Sequence, residues 1–167
     1  MNHPVIKIHV KNFGTMTAEL YPEMAPLTVA NFLSLIEKKF FDGLIFHRVI
    51  RGFMLQGGGY TEAFSDTDAE PIKGEFAANG FAQNDLKHSR GVLSMARTND
   101  PNSASSQFFI MHADAPYLDR QYAGFGKVIE GLEVVDKIAA VPTGRRGWFD
   151  DVPRVPVVIE SMEVIEK

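Results

Sequence analysis

The sequence predicts a single, mainly β domain with two helices. Many short runs alternate apolar and polar residues between glycine or polar turns, whereas only two segments have the 3.6-residue period of an amphipathic helix. The length of 167 residues and the 45% hydrophobic content are enough for one sizeable core and imply no second domain. These patterns alone do not choose between a closed barrel and a sandwich.

The amino-terminal third contains a predicted hairpin and the first predicted helix. Apolar and polar residues alternate over residues 6–10 and again over 16–20, with a turn at 12–14 between them. From residue 26 to 39, apolar residues recur at i, i+3, i+4 and i+7, which predicts an amphipathic helix with Pro26 near its start.

The rest of the chain is predicted to be rich in short strands. A second helix is expected over Leu132–Ala139, and residues 60–89 are expected to form a surface loop with a short strand near 71–75. The remaining strands are predicted at residues 44–50, 53–56, 91–96, 106–112, 123–128 and 157–164.

Composition argues against several classes of function. The net charge is -4 and the 17 basic residues are scattered, so nucleic acid is not an expected partner. The chain has no cysteine, which excludes disulfides and thiol catalysis. Histidine spacing and the glycines at 57–59 match no metal or phosphate motif, so neither metal nor cofactor is expected. With no signal-like start and no run of 18 apolar residues, we expect a soluble cytoplasmic protein that does not enter a membrane.

Residues 46–58, reading FHRVIRGFMLQGG, bring Arg48, the large apolar residues Phe53 and Met54, and the amide Gln56 within nine positions. Residues 93–96 (LSMA) and 106–110 (SQFFI) also combine apolar residues with an amide. Strand alternation puts Met54 and Gln56 on one face, and Gln107, Phe109 and Met111 on another. Two such faces would wall one groove.

Together, the motifs FHR, GFM, QGG, LSMA, SQFFI and FGKV resemble the cyclophilin family of peptidyl-prolyl cis/trans isomerases in order and spacing. The resemblance runs from about residue 5 to 164, and EPIKGE, RGVLSMAR, TGRRG and DVPRVPVVIES are similar to the short bacterial members. It implies one cyclophilin-like domain over residues 1–167, folded as a closed eight-stranded antiparallel barrel capped by two α-helices.

The resemblance also implies which residues form the site. Arg48 matches the family's catalytic arginine, and an irregularity near Gly52 is needed if Phe53 is to point the same way as Met54. The implied substrate-binding residues are Phe53, Met54, Gln56, Ala96, Arg97, Gln107, Phe109, Tyr117, Leu118 and Tyr122.

Three of these residues depart from the family pattern. Tyr117 stands where eukaryotic members have tryptophan, Tyr122 where histidine is frequent, and Arg97 where many relatives have asparagine. The loss of an indole donor at Tyr117 predicts weak binding of cyclosporin, while the isomerase site itself is expected to be retained.

The chemistry expected of such a site needs no covalent step. A guanidinium stays charged at every relevant pH and can favour a twisted X-Pro amide beside an apolar cup. We therefore expect a cofactor-free isomerase that acts as a monomer on proline-containing unfolded or flexible polypeptides and assists their folding. A non-catalytic module that binds proline peptides and a barrel that carries a small ligand are the alternatives.

Overall fold

The computed structural model describes residues 3–67 and 69–167. In this part of the chain the α-helices are α1 (Pro26–Glu37) and α2 (Leu132–Ala139). The strands are β1 (Val5–Val10), β2 (Gly14–Leu20), β3 (Arg48–Ile50), β4 (Met54–Gly57), β5 (Val92–Met95), β6 (Phe108–Met111), β7 (Gly124–Glu130), β8 (Thr143–Arg146), β9 (Phe149–Pro153) and β10 (Ile159–Glu166).

Eight strands form one curled antiparallel sheet in the order β10-β1-β2-β7-β5-β6-β4-β3. The predicted mainly β domain with two helices is confirmed, but closure of the barrel is not, because β10 and β3 remain the edges of the ladder. One isolated bridge, between Ile45 and Val158, joins the segments that lead into these edge strands. Strand β3 is three residues long and pairs with β4 along its whole length.

The amino-terminal hairpin and both helices follow the predicted periodicity. Alternate residues of β1 and β2 are buried, as expected for a sheet with one wet face. Helix α1 begins at Pro26, as predicted, and ends two residues before the predicted boundary. The buried carboxylate of Glu75 accepts the backbone N–H groups of Leu27 and Thr28 at 3.1 and 2.7 Å, and thereby caps this helix from a distant loop.

Two predictions of secondary structure were wrong. The segment at 71–75 forms no strand. The Gly74 N–H donates to Asn102 Oδ1, and the Gly74 carbonyl accepts from Asn79 Nδ2, so side chains rather than a neighbouring strand satisfy its backbone. The β8–β9 hairpin was missed, since Thr143–Arg146 lacks the alternating apolar residues that identify a half-buried strand.

The sheet separates two apolar clusters. The larger cluster lies on one side of the sheet and contains the rings of Phe32, Phe41 and Phe108, which pack edge to face or tilted. Alternation along β4 and β6 sends Met54, Phe109 and Met111 to the opposite side, into a smaller cluster with Leu118. This smaller cluster lies under the candidate site.

No helix of the described residues is long and apolar enough to cross a membrane.

Candidate active site

The floor of the candidate site is apolar and belongs to the smaller cluster. Met54 and Phe109 are 2% and 5% exposed, and Leu118 reaches them from a short 3-10 turn at Pro116–Leu118. Phe53 joins them because the chain turns sharply before β4: Gly52 has φ +80° and the Phe53 N–H bonds the Ile50 carbonyl at 2.9 Å. The predicted irregularity near Gly52 is therefore present.

Nine of the eleven predicted site residues line one concavity of about 150 Å³, which we call the outer pocket. This volume is below the range of about 300–1,000 Å³ typical of sites for drug-sized ligands, and it suits one ring-sized side chain of a longer molecule. The lining residues are Arg48, Phe53, Met54, Gln56, Ala96, Arg97, Phe109, Leu118 and Tyr122.

A chain of polar groups crosses the open side of the outer pocket. Arg48 and Gln56 are partners in the β3–β4 register, and Arg48 Nη1 donates to Gln56 Oε1 at 3.4 Å. Gln56 Nε2 in turn donates to Gln107 Oε1 at 3.0 Å. Gln107 lies in an adjoining groove rather than in the outer pocket, and Gly59 leaves it room, since a Cβ there would lie 2.4 Å from Gln107 Cγ.

Tyr117 is the second predicted residue outside the outer pocket. Its side chain is 70% exposed and does not line the concavity. Its ring is tilted against Phe53, with centroids 6.0 Å apart, so it stands at the rim.

Arg97 has a role that sequence reasoning missed. Its guanidinium lies over the rings of Phe76 and Tyr122, with Cζ 4.6 and 4.8 Å from their centroids, and Nη2 donates to the Gln121 carbonyl at 2.7 Å. Arg97 therefore holds Tyr122 edge-on to Phe109 as well as lining the pocket. Phe76 comes from the aperiodic loop, so no sequence pattern linked it to the site.

A buried histidine beneath the pocket was also missed. His88 stacks under Phe109, bonds Ser94 Oγ through Nε2 at 2.8 Å and meets Asp119 through Nδ1 at 3.2 Å. Burial lowers the pKa of His88, although Asp119 opposes this effect. The order of groups is that of a hydrolytic triad, but Ser94 is fully buried, so it supports the floor and cannot meet a substrate.

The other histidine near the site faces away from it. His47 is 4% exposed, packed edge-on against Tyr60 and Phe149 on the face opposite Arg48. Burial, together with the nearby charge of Arg48, lowers the pKa of His47 to about 4. His47 is consequently neutral in the ordinary working range of pH.

The outer pocket combines the exposed guanidinium of Arg48, the half-buried guanidinium of Arg97, the amide of Gln56 and an apolar cup, and no carboxylate or histidine lines it. Such a site can bind an apolar ring and present fixed donors beside it. It has no nucleophile poised beside a base, which a covalent mechanism would require.

Comparison with known proteins gives a consistent result. Residues 5–164 match the family model described as cyclophilin type peptidyl-prolyl cis-trans isomerase/CLD. A peptidyl-prolyl cis-trans isomerase of Acinetobacter baylyi is 48% identical over 92% of this chain and 81% of its own length. Peptidyl-prolyl cis-trans isomerase B of Escherichia coli is 43% identical over 93% of this chain and 96% of its own length.

A solved structure supports the same assignment. The crystal structure of a Cryptosporidium parvum cyclophilin type peptidyl-prolyl cis-trans isomerase, obtained in the presence of the dipeptide Ala-Pro, has a TM-score of 0.82 and 28% identity, and the match covers 98% of this chain and 99% of that one. From its sequence, its curled sheet and the matched family model, this chain belongs to the cyclophilin-type peptidyl-prolyl cis-trans isomerases.

Proposed function

We propose that this isomerase binds the proline of a flexible polypeptide in the outer pocket and that Arg48 is its catalytic residue. The observation that carries the proposal is an exposed guanidinium, bonded only weakly to Gln56, at the edge of a ring-sized apolar pocket. No carboxylate of a described residue pairs with Arg48, so its charge is free to act on a substrate.

The reaction is rotation about an X-Pro peptide bond. Its barrier of about 18–20 kcal/mol arises from amide resonance, and no covalent bond has to break. In the twisted state the prolyl nitrogen becomes pyramidal and has a free lone pair. A fixed donor aimed at that nitrogen stabilises the twisted state more than either planar state, which is what lowers the barrier.

The other site residues are proposed to hold the substrate. Phe53, Met54, Phe109 and Leu118 supply the apolar cup for the proline ring, and Gln56 and Gln107 bond the flanking backbone. Ala96 acts through its main chain. Arg97, Tyr117 and Tyr122 form the rim and influence which residues are accepted beside the proline.

Proline-containing polypeptides are the proposed partners. A relative of the same fold was crystallised in the presence of Ala-Pro, which supports a prolyl ligand for this pocket. We propose that the protein acts on these polypeptides as a monomer. Cyclosporin is proposed as a weak ligand, because the pocket is retained while Tyr117 replaces the tryptophan at its rim.

The test is substitution of Arg48, followed by an isomerisation assay on a short prolyl peptide and a separate measurement of peptide binding. Arg48→Ala is expected to reduce kcat/KM by about 100- to 1000-fold, as removal of one preorganised donor does, with folding and binding largely retained. Arg48→Lys is not expected to restore turnover, because an ammonium lacks the fixed fork of donors.

The same assay separates the remaining alternative. A protein that binds proline peptides without catalysis would give no turnover in the wild type. Near-normal turnover in Arg48→Ala would instead remove Arg48 from the mechanism while leaving the family assignment intact.

A further inference from the structure

The β8–β9 hairpin carries a second concavity that the isomerase reaction does not use. Its volume is about 410 Å³. Arginines make up half of its lining and no acidic residue of the described chain lines it, so we call it the arginine pocket. The lining residues are Gly144, Arg145, Arg146, Val152, Pro153 and Arg154.

The three guanidinium groups are poorly neutralised. The carboxylate paired with Arg145 belongs to Asp150, at 3.9 Å, and both side chains are more than 70% exposed. Arg146 bonds a carbonyl, that of Glu62, at 3.4 Å and stacks on the Phe64 ring at 4.2 Å. Within residues 3–67 and 69–167, no carboxylate pairs with Arg146 or Arg154. In a protein of net charge -4, such a group is a local positive field that favours an anion.

The floor of the arginine pocket leaves space for Arg154. A Cβ at Gly144 would lie 3.4 Å from Arg154 Nη2 and 3.5 Å from its Cζ, so the guanidinium lies directly over the glycine. A Cβ at these distances would make ordinary van der Waals contact with the guanidinium.

The hairpin also exposes an aromatic anchor. Trp148 is the single tryptophan of the sequence and is 93% exposed in the turn between β8 and β9. Tryptophan, tyrosine and arginine are enriched among the residues that contribute most to binding between proteins. An extended partner would therefore contact the charged groups of the arginine pocket and the Trp148 ring at the tip of the hairpin.

The hairpin is held beside the catalytic strand. Strand β9 lies next to β3, and the Phe149 ring meets that of His47, the residue before Arg48, at 6.1 Å. We propose that the arginine pocket binds the carboxylate side chains of acidic segments in polypeptide substrates, with Trp148 contacting apolar residues beside them. The choice of a polypeptide rests on the proposed function, whereas the anion site itself does not.

Trp148 supplies the readout for the first experiment. The probe is a peptide of alternating Glu and Leu without proline, and its control replaces each Glu with Gln. The acidic peptide should change Trp148 emission saturably, and added salt should weaken binding because exposed charges are screened. An unchanged emission spectrum, or equal binding of the Gln peptide, would overturn the proposal.

Two double variants test the arginines. Arg145→Gln with Arg154→Gln is expected to weaken binding of the acidic peptide by about two- to thirtyfold, the loss of two exposed ion pairs. Lys38→Gln with Lys137→Gln removes the same charge from the residue after α1 and from α2, and should leave affinity unchanged. Equal weakening in both would mean that net charge alone attracts the peptide, against the proposal. If inorganic phosphate displaces the peptide at a concentration below that of the peptide, the pocket is a site for free anions, and the proposal of a polypeptide ligand is overturned.

A third measurement separates this proposal from the proposed function. Turnover of a short neutral prolyl peptide should be equal in the wild type and in the arginine variant. In the wild type, a longer peptide with an acidic segment beside its proline should have a lower KM than the short peptide. In the arginine variant, the two peptides should have the same KM. If the wild type shows no lower KM for the acidic peptide, the arginine pocket does not bind polypeptide substrates, and this proposal is contradicted. If the wild type does not turn over the short peptide, the isomerase mechanism is refuted, but the proposed anion site is not.

Discussion

Arg48 and His47 are adjacent in sequence but lie in opposite environments. Arg48 is exposed at the outer pocket, and His47 is enclosed by Tyr60 and Phe149. Because burial holds the pKa of His47 near 4, this histidine stays neutral while Arg48 stays charged. The proposed catalysis by the guanidinium therefore has no carboxylate or histidine in the lining of the outer pocket on which to depend.

A flat pH profile is the expected consequence. We expect kcat/KM to be constant between about pH 6 and 9, since twisting of the amide requires no group to gain or lose a proton. The measurement is the initial isomerisation rate, with a substrate that has no titrating group and with enzyme stability controlled. A bell-shaped curve, or an inflection near pH 6.5 that His47→Gln removes, would show that a proton transfer has been left out.

Tyr117 determines the expected response to cyclosporin. Its phenol sits at the rim beside Phe53 and cannot supply the indole N–H that a tryptophan would offer to a carbonyl of the ligand. One neutral hydrogen bond contributes about 0.5–1.5 kcal/mol, so Tyr117→Trp should tighten cyclosporin by about two- to tenfold. Unchanged or weaker binding of the Trp variant would mean that the rim residue is not responsible.

At this scale, motif and alternation located most of the pocket. Alternation predicted that Met54 shares a face with Gln56 and that Phe109 shares one with Met111, and the register of β4 and β6 brings the two faces together. The stacking of Arg97 on Phe76 was not predictable, because it joins a rim residue to a loop with no periodic pattern. The roles of the site residues remain proposals.

Among the elements, the turn before β4 is held in place by His112. The Gly52 N–H donates to His112 Nδ1 at 2.8 Å, and the backbone N–H of His112 donates to the Phe53 carbonyl at 2.9 Å. His112 Nε2 meets Asp136 of α2 at 3.2 Å, and Arg90 binds the same carboxylate through two contacts of 2.7 and 2.9 Å. Helix α2 is thus connected to the turn that presents Phe53.

His112 is expected to act as a positioning residue. His112→Ala leaves the Gly52 N–H without its acceptor, so we expect KM for a prolyl peptide to rise by about three- to tenfold and kcat to change little. His112→Asn should recover most of the loss, since an amide oxygen can accept the same bond. The check is steady-state kinetics alongside thermal unfolding. If His112→Ala loses stability with KM unchanged, the clamp supports only the fold.

The helices and strands differ in whether a local sequence pattern predicts them. Both helices were found because their apolar faces follow a 3.6-residue period, and Pro26 marks the start of α1. The β8–β9 hairpin was not found, because most of its residues face solvent and only its end, at Val152 and Pro153, is buried. Its position depends on contacts with β3 that are distant in sequence.

At the scale of the whole molecule, contacts between residues distant in sequence determine features that local sequence patterns do not predict. The loop that contains Glu75 has no periodicity, yet its buried carboxylate caps α1 across 48 positions of sequence. Likewise, alternation describes each strand but not how the sheet ends meet, since that depends on bonds between the segments around Ile45 and Val158. Barrel closure was therefore an expectation from resemblance that periodicity could not support.

Two buried histidines should make the stability of the whole fold sensitive to acid. The folded-state pKa of His47 is about 4, below its ordinary value of 6.5, and burial also lowers that of His88 against the opposing effect of Asp119. At a pH between the folded and the unfolded pKa of such a histidine, the unfolded chain binds more protons than the folded one. The stabilisation is therefore fully present above about pH 6.5 and is lost as the pH falls toward 4.

For His47, the expected loss of unfolding free energy between pH 7.5 and 5.0 is about 2 kcal/mol. His47→Gln cannot be protonated, so its stability should fall by about 2 kcal/mol less over the same interval, the remainder coming from His88 and other groups. Urea unfolding of both proteins at both pH values measures this, and comparison within each protein removes the constant cost of the substitution. An equal decrease in the two proteins would show that His47 does not carry the acid sensitivity. More than half of this loss falls below pH 6, the lower limit of the range expected for constant turnover. Acid is therefore expected to weaken the fold under conditions where the proposed chemistry at Arg48, which involves no proton transfer, is unchanged.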